Sequence, residues 1–115
     1  MSNFYPELSQ KILDMADGDD EFRMELTAAI HSGLLELKAV YSTARDTKDE
    51  EAIQQIRHKL KPTLAMFEFD QLAATLQNGK EILDSEGFGA SFEAHFEVFL
   101  EHVETALAEV QNLRN

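Results

Sequence analysis

The sequence predicts an all-α protein: an up-down-up-down antiparallel four-helix bundle with a short additional N-terminal helix. Three observations carry this. Apolar residues recur at helical spacing through four long segments. No alternating strand pattern runs longer than four residues. Three of the five glycines, Gly18, Gly87 and Gly89, fall between the periodic segments. With 115 residues, 43% of them hydrophobic, the chain suits one domain with one core, spanning 1–115.

The elements follow in order. A short helix fits Pro6–Met15, with Leu8, Ile12 and Met15 on one side and Pro6 in the first turn. The cluster Asp17-Gly18-Asp19-Asp20 interrupts it and caps a second helix, Asp20–Arg45. The stripe of that helix is Phe22, Leu26, Ala29/Ile30, Gly33/Leu34, Leu37, Val40/Tyr41 and Ala44. Thr47-Lys48-Asp49-Glu50 reads as a capping box for the third helix, which ends near Phe67. The fourth, Asp70–Asp84, shows Leu72, Leu76, Ile82 and Leu83, and Ser85–Gly89 ends it. The last, Ala90–Leu113, buries Phe92, Phe96, Phe99, Val103, Ala106/Leu107, Val110 and Leu113. Short connections make sequential helices antiparallel neighbours. The short helix occupies 1–16 and the bundle 19–113.

Composition narrows the function. A net charge of −12 repels nucleic-acid phosphates and anionic lipid, and argues mildly for a monomer. Cysteine is absent, so neither disulfides nor a thiolate metal site can form. No apolar stretch approaches a membrane span, and MSNFYPELSQ does not read as a signal peptide, so a cytoplasmic location is expected.

The third helix carries the feature that points to chemistry. Its stripe is Ile53, Ile56, Leu60, Leu64 and Phe67. At 100° per residue with Ile53 as zero, these five fall within roughly 80° of one another. His58 falls at about 140°, away from the stripe, and Lys61 at about 80°. A solvent-facing histidine with a lysine at i+3 can carry a phosphoryl group. Histidine titrates near pH 6.5, so near neutrality its imidazole offers a nucleophilic nitrogen. The group it would gain carries up to two negative charges, which a nearby ammonium stabilises.

The segment Ile56-Arg57-His58-Lys59-Leu60-Lys61-Pro62-Thr63-Leu64-Ala65 resembles the histidine phosphotransfer (HPt) domain of phosphorelay systems. The family pattern is His, any residue, Leu, Lys, Gly, Ser, followed by small residues. His58, Leu60 and Lys61 match it, Thr63 stands for the serine, and Ala65 keeps a small residue on the histidine face. HPt domains are four-helix bundles of about this length with the histidine midway along the second bundle helix. The resemblance thus covers about residues 19–113. It implies a phosphorelay intermediate: His58 accepts a phosphoryl group from a receiver-domain aspartate and passes it to another receiver, with Lys61 stabilising the phosphate. Gln77 and Lys80 on the fourth helix, with Pro62, Thr63 and Ala65, would surround the site. The implied partner is a response-regulator receiver domain or a hybrid sensor kinase, which supplies Mg²⁺ and the acceptor aspartate. No cofactor or metal of the chain's own is then required, and no nucleotide-binding element is found, so the chain would be a phosphocarrier without ATP-dependent kinase activity.

Two positions depart from the family. Pro62 replaces the glycine after the lysine, removes one helical N–H and is expected to bend the helix. Glu68 replaces a glycine before the next helix. Pro62 leaves open an alternative, an HPt-like adaptor that binds a receiver or kinase without being phosphorylated. The family's apolar docking patch near the histidine could draw on Phe4, Tyr5, Leu8 and Ile12. His95 and His102 lie seven apart on the last helix, and without a Glu-x-x-His pair they read as residues at the core boundary rather than metal ligands.

Overall fold

The computed structural model describes residues 5–114, and these fold into five helices: α1 Leu8–Ala16, α2 Asp20–Thr47, α3 Glu50–Met66, α4 Asp70–Glu86 and α5 Ala90–Leu113. Helix α2 packs on α3, α3 on α4, α4 on α5, and α5 back on α2, while α1 lies against α2. The core runs through the centre of this ring. Each helix contributes one stripe: Ile30, Leu34, Leu37 and Tyr41 from α2; Ile53, Ile56, Leu60 and Leu64 from α3; Leu72, Leu76 and Leu83 from α4; Phe92, Phe96, Phe99, Val103 and Val110 from α5. No described helix is long and apolar enough to cross a membrane.

The helix ends correct several expectations. Helix α1 starts at Leu8, because Pro6 and Glu7 form a turn closed by the Leu8 N–H on the Tyr5 carbonyl at 3.1 Å. Met15 is 41% exposed and Ala16 takes its inward position. Phe22 is 42% exposed: in the first turn of α2 the neighbouring helices no longer cover it. At the next pair Ile30 is buried and Ala29 exposed. Helix α2 continues to Thr47, whose hydroxyl bonds back to the Thr43 carbonyl and is unable to cap α3. Lys48 closes α2 in the left-handed conformation at φ 55°, and Asp49 caps α3, accepting from the Ala52 N–H at 3.1 Å. Helix α4 runs two residues beyond Asp84 to Glu86.

The N-terminal segment is part of the core. Tyr5, Leu8 and Ile12 are buried, with Tyr5 packed on Phe69 at 4.8 Å between ring centroids. They are not a free docking patch, and Phe4 lies outside the described residues. Lys11 pairs with Glu68 at 2.6 Å, tying α1 to the turn between α3 and α4. Glu68 holds φ 57°, the left-handed region that glycine occupies without penalty. Between α2 and α5, the Arg45 guanidinium grips Glu93 at 2.6 Å and lies over the Phe96 ring. That hydrogen bond holds the Glu93 carboxyl below the usual carboxylate range.

A polar pair sits inside the aromatic core. His95 is only 4% exposed, deeper than the core boundary expected for it. The Tyr41 hydroxyl lies 2.7 Å from its Nε2. With the ring proton on Nδ1, the phenol donates and Nε2 accepts. Nδ1 itself has no partner among the described residues. Burial lowers the His95 pKa and raises that of Tyr41. The sign follows. Below about pH 6.5 the unfolded chain takes up a proton at His95 that the folded ring resists. Stability at this residue is therefore full above pH 6.5 and declines as pH falls toward the folded value. Urea midpoints measured from pH 7.5 to 5.5 should fall for the wild type and fall less steeply for His95→Gln. Parallel profiles would show that the buried ring does not couple folding to pH.

Candidate functional site

Helix α3 sets which side chains meet water. Asp49 fixes its start, and Glu50 and Glu51 oppose the positive end of its dipole. The buried stripe then determines the outer face. His58, Lys61, Pro62 and Ala65 are exposed, and Thr63 is half-buried at the stripe's edge. The helix is unbroken across Pro62 as far as Met66. Pro62 leaves the His58 carbonyl without its helical N–H partner, and on this exposed face water can satisfy it.

His58 makes no side-chain hydrogen bond among the described residues, whereas His95 is held by Tyr41 and His102 by the Thr75 hydroxyl at 2.6 Å. Lys61 stands one turn along and meets no carboxylate within 4.0 Å among the described residues. Its neighbours are occupied: Lys59 pairs with Glu36 at 2.9 Å, and Lys80 with Asp84 at 2.7 Å. In a chain with 22 acidic residues, an unpaired lysine beside an unbonded histidine leaves both groups open to a third party. Gly33 lets α2 approach at this level, since an added Cβ would lie 3.3 Å from Leu60 Cδ1.

A cavity of about 200 Å³ opens between α3 and α4 beside Lys61. It brings Lys61, Ala65 and Gln77 together. His58, Pro62, Thr63 and Lys80 are not in its wall. The Lys80 ammonium is engaged along its own helix, and Gln77 reaches Glu81 only at 3.4 Å. The wall also contains Arg57, which is 8% exposed and was not among the expected site residues. Its signal was present in the helical geometry: at about 40° it borders the apolar stripe, on the side of Lys61.

The face formed by His58 and Lys61 joins an accessible imidazole nitrogen to a cation one helical turn away. This can hold a small anionic group covalently and offset its charge. His95 and His102 face a shallower groove between α4 and α5. No group of three potential ligands occurs among the described residues. No family model, curated protein or solved structure matches the chain.

Proposed function

We propose that the chain is a phosphorelay carrier built as an up-down-up-down four-helix bundle, α2–α5, with α1 added at its side. The observation that carries this reading is the exposed His58, unbonded among the described residues, with Lys61, likewise unpaired among them, one turn along α3. A ring nitrogen of His58 attacks the phosphorus of an aspartyl phosphate on a receiver domain. The N–P bond forms, the acyl O–P bond breaks, and the aspartate leaves as a carboxylate. Transfer to the next receiver reverses these bonds. Phosphoryl transfer depends mainly on position and charge neutralisation, so this chain supplies the nucleophile and Lys61, while the receiver supplies Mg²⁺ and the aspartate. The −12 charge favours a monomer and leaves nucleic acid and anionic membrane as poor partners.

The test is transfer from receiver domains charged with a small-molecule phosphodonor. The wild type should gain an acid-labile, alkali-stable label. Lys61→Ala should gain it roughly tenfold more slowly, the effect of removing about 1.4 kcal/mol of charge stabilisation from the transition state. Equal rates would reduce Lys61 to a solvated charge. The exposed Pro62 favours a second reading, an adaptor that binds a receiver without taking its phosphoryl group; receiver binding with no label on the wild type would select it.

A further inference from the structure

Arg57 is the most buried cation of the described chain, and it has no counter-charge. It is 8% exposed, and its one side-chain hydrogen bond among the described residues runs from Nε to the Gln54 side-chain oxygen at 3.1 Å. A guanidinium offers five N–H donors and is always charged, so four donors are left over. Among the described residues no carboxylate lies within ion-pair distance of it. Arg23 and Arg45 are more exposed, yet Asp20 holds the first at 2.9 Å and Glu93 the second at 2.6 Å. Its stem is buried while the unbonded Nη atoms still reach water, and none of the described acidic residues in this strongly acidic chain is placed against them.

The cavity between α3 and α4 supplies a reason. Arg57, Lys61 and Gln77 all line it, so a guanidinium, an ammonium and an amide border one space. The one acidic side chain in the wall is Asp70, at the start of α4. The volume, about 200 Å³, exceeds several times the roughly 30 Å³ share of one water molecule. We propose that this cavity is a binding site for a phosphate-class oxyanion, with Arg57 as its principal donor and Lys61 and Gln77 completing it. A planar fork of N–H groups matches tetrahedral oxyanions in pairs of parallel bonds.

Two sources present that chemistry: free inorganic phosphate, and the phosphoryl group on His58. Around the α3 axis Lys61 lies about 40° from Arg57 and about 60° from His58, so it stands between them. The second source rests on the phosphocarrier reading above, and the first does not.

Arginine side-chain NMR on the full chain separates them. Inorganic phosphate is titrated at pH 7 against sodium chloride of equal ionic strength, with the Arg57 signal assigned by Arg57→Lys. The protein is then treated with phosphoramidate, whose P–N bond breaks with release of ammonia as a histidine nitrogen binds phosphorus. A saturable shift of the Arg57 signal with phosphate, absent with chloride and larger than at Arg23 and Arg45, establishes a site for the free anion. A shift only after phosphoramidate, absent in His58→Gln, assigns the site to the His58 phosphoryl group; Arg57→Gln should then shorten the life of the phosphohistidine roughly tenfold. An Arg57 signal that responds to neither overturns the proposal. Should the wild type take no phosphoryl group, the carrier reading fails, and the phosphate titration alone decides the oxyanion site. The readout is on the wild type, so it survives a variant that fails to fold.

Discussion

His58→Gln is expected to abolish phosphoryl acceptance completely and to leave the fold unchanged. The loss is complete because the glutamine amide is not a nucleophile toward phosphorus, and no other described histidine offers a substitute on this face. His31 is half-buried on α2, His95 is buried and bonded to Tyr41, and the Nδ1 of His102 is bonded to Thr75. The fold survives because His58 is exposed and makes no side-chain bond among the described residues. Glutamine is also at least as good a helix former as histidine, and exposed substitutions of this kind change stability by within about 0.5 kcal/mol. The two halves are measured separately, by label transfer from a charged receiver domain and by urea denaturation. A label retained on His58→Gln would move the phosphoryl group to another residue and end the carrier assignment to His58. An unfolded variant would contradict the orientation of α3.

The orientation of α3 was legible because it depends on one helix alone. Five apolar residues at 100° steps define the inside, and the positions of His58, Lys61 and Pro62 follow without reference to any other element. What the sequence misled on depends on neighbours. Thr47-x-x-Glu50 satisfies the capping-box pattern, but α2 runs to Thr47 and uses its hydroxyl, so the cap passes to Asp49. Met15 and Phe22 keep the right period and still face water, since each lies near the end of its helix. Arg57 is hard to single out in a sequence because arginine is ordinarily solvated; its long stem lets it lie at the stripe's edge, beside the cavity between α3 and α4. Glu68 shows the opposite case. Its backbone lies at φ 57°, in the left-handed region that glycine occupies without penalty, with a glutamate in it. The Lys11 ion pair gives that side chain a use in holding α1.

Gly79→Ala is expected to be the most damaging small substitution in the core. A methyl group at position 79 would lie 2.5 Å from the Tyr41 hydroxyl oxygen and 2.5 Å from His95 Nε2, well inside van der Waals contact. Neither ring can withdraw. Tyr41 is fully buried and stacked on Phe99 at 4.0 Å, with Phe92 and Phe96 beyond at 6.0 and 6.3 Å. His95 is backed by Phe92 at 5.2 Å. The strain must go into separating α4 from α5 or into breaking the Tyr41–His95 hydrogen bond. Overpacking of this kind costs about 1–3 kcal/mol, more where the neighbours are rigid. Alanine recovers roughly 0.5–1 kcal/mol of helix propensity, which is too little to offset it. The net loss should lower Tm by roughly 3–8 °C. Gly89→Ala is the comparison: an added Cβ there meets nothing within 4 Å, so it should lose only the preference for glycine at the N-cap of α5. Equal losses in the two variants would show that the close approach at Gly79 is not what selects glycine. The same displacement should reach the outer face: Gln77 lies two residues before Gly79 on α4, in the wall of the cavity beside Lys61. If α4 shifts as a rigid element, Gly79→Ala weakens whatever Gln77 contributes there. A folded Gly79→Ala variant with slower phosphoryl transfer would show that the spacing of the core helices also sets the geometry of the His58 face.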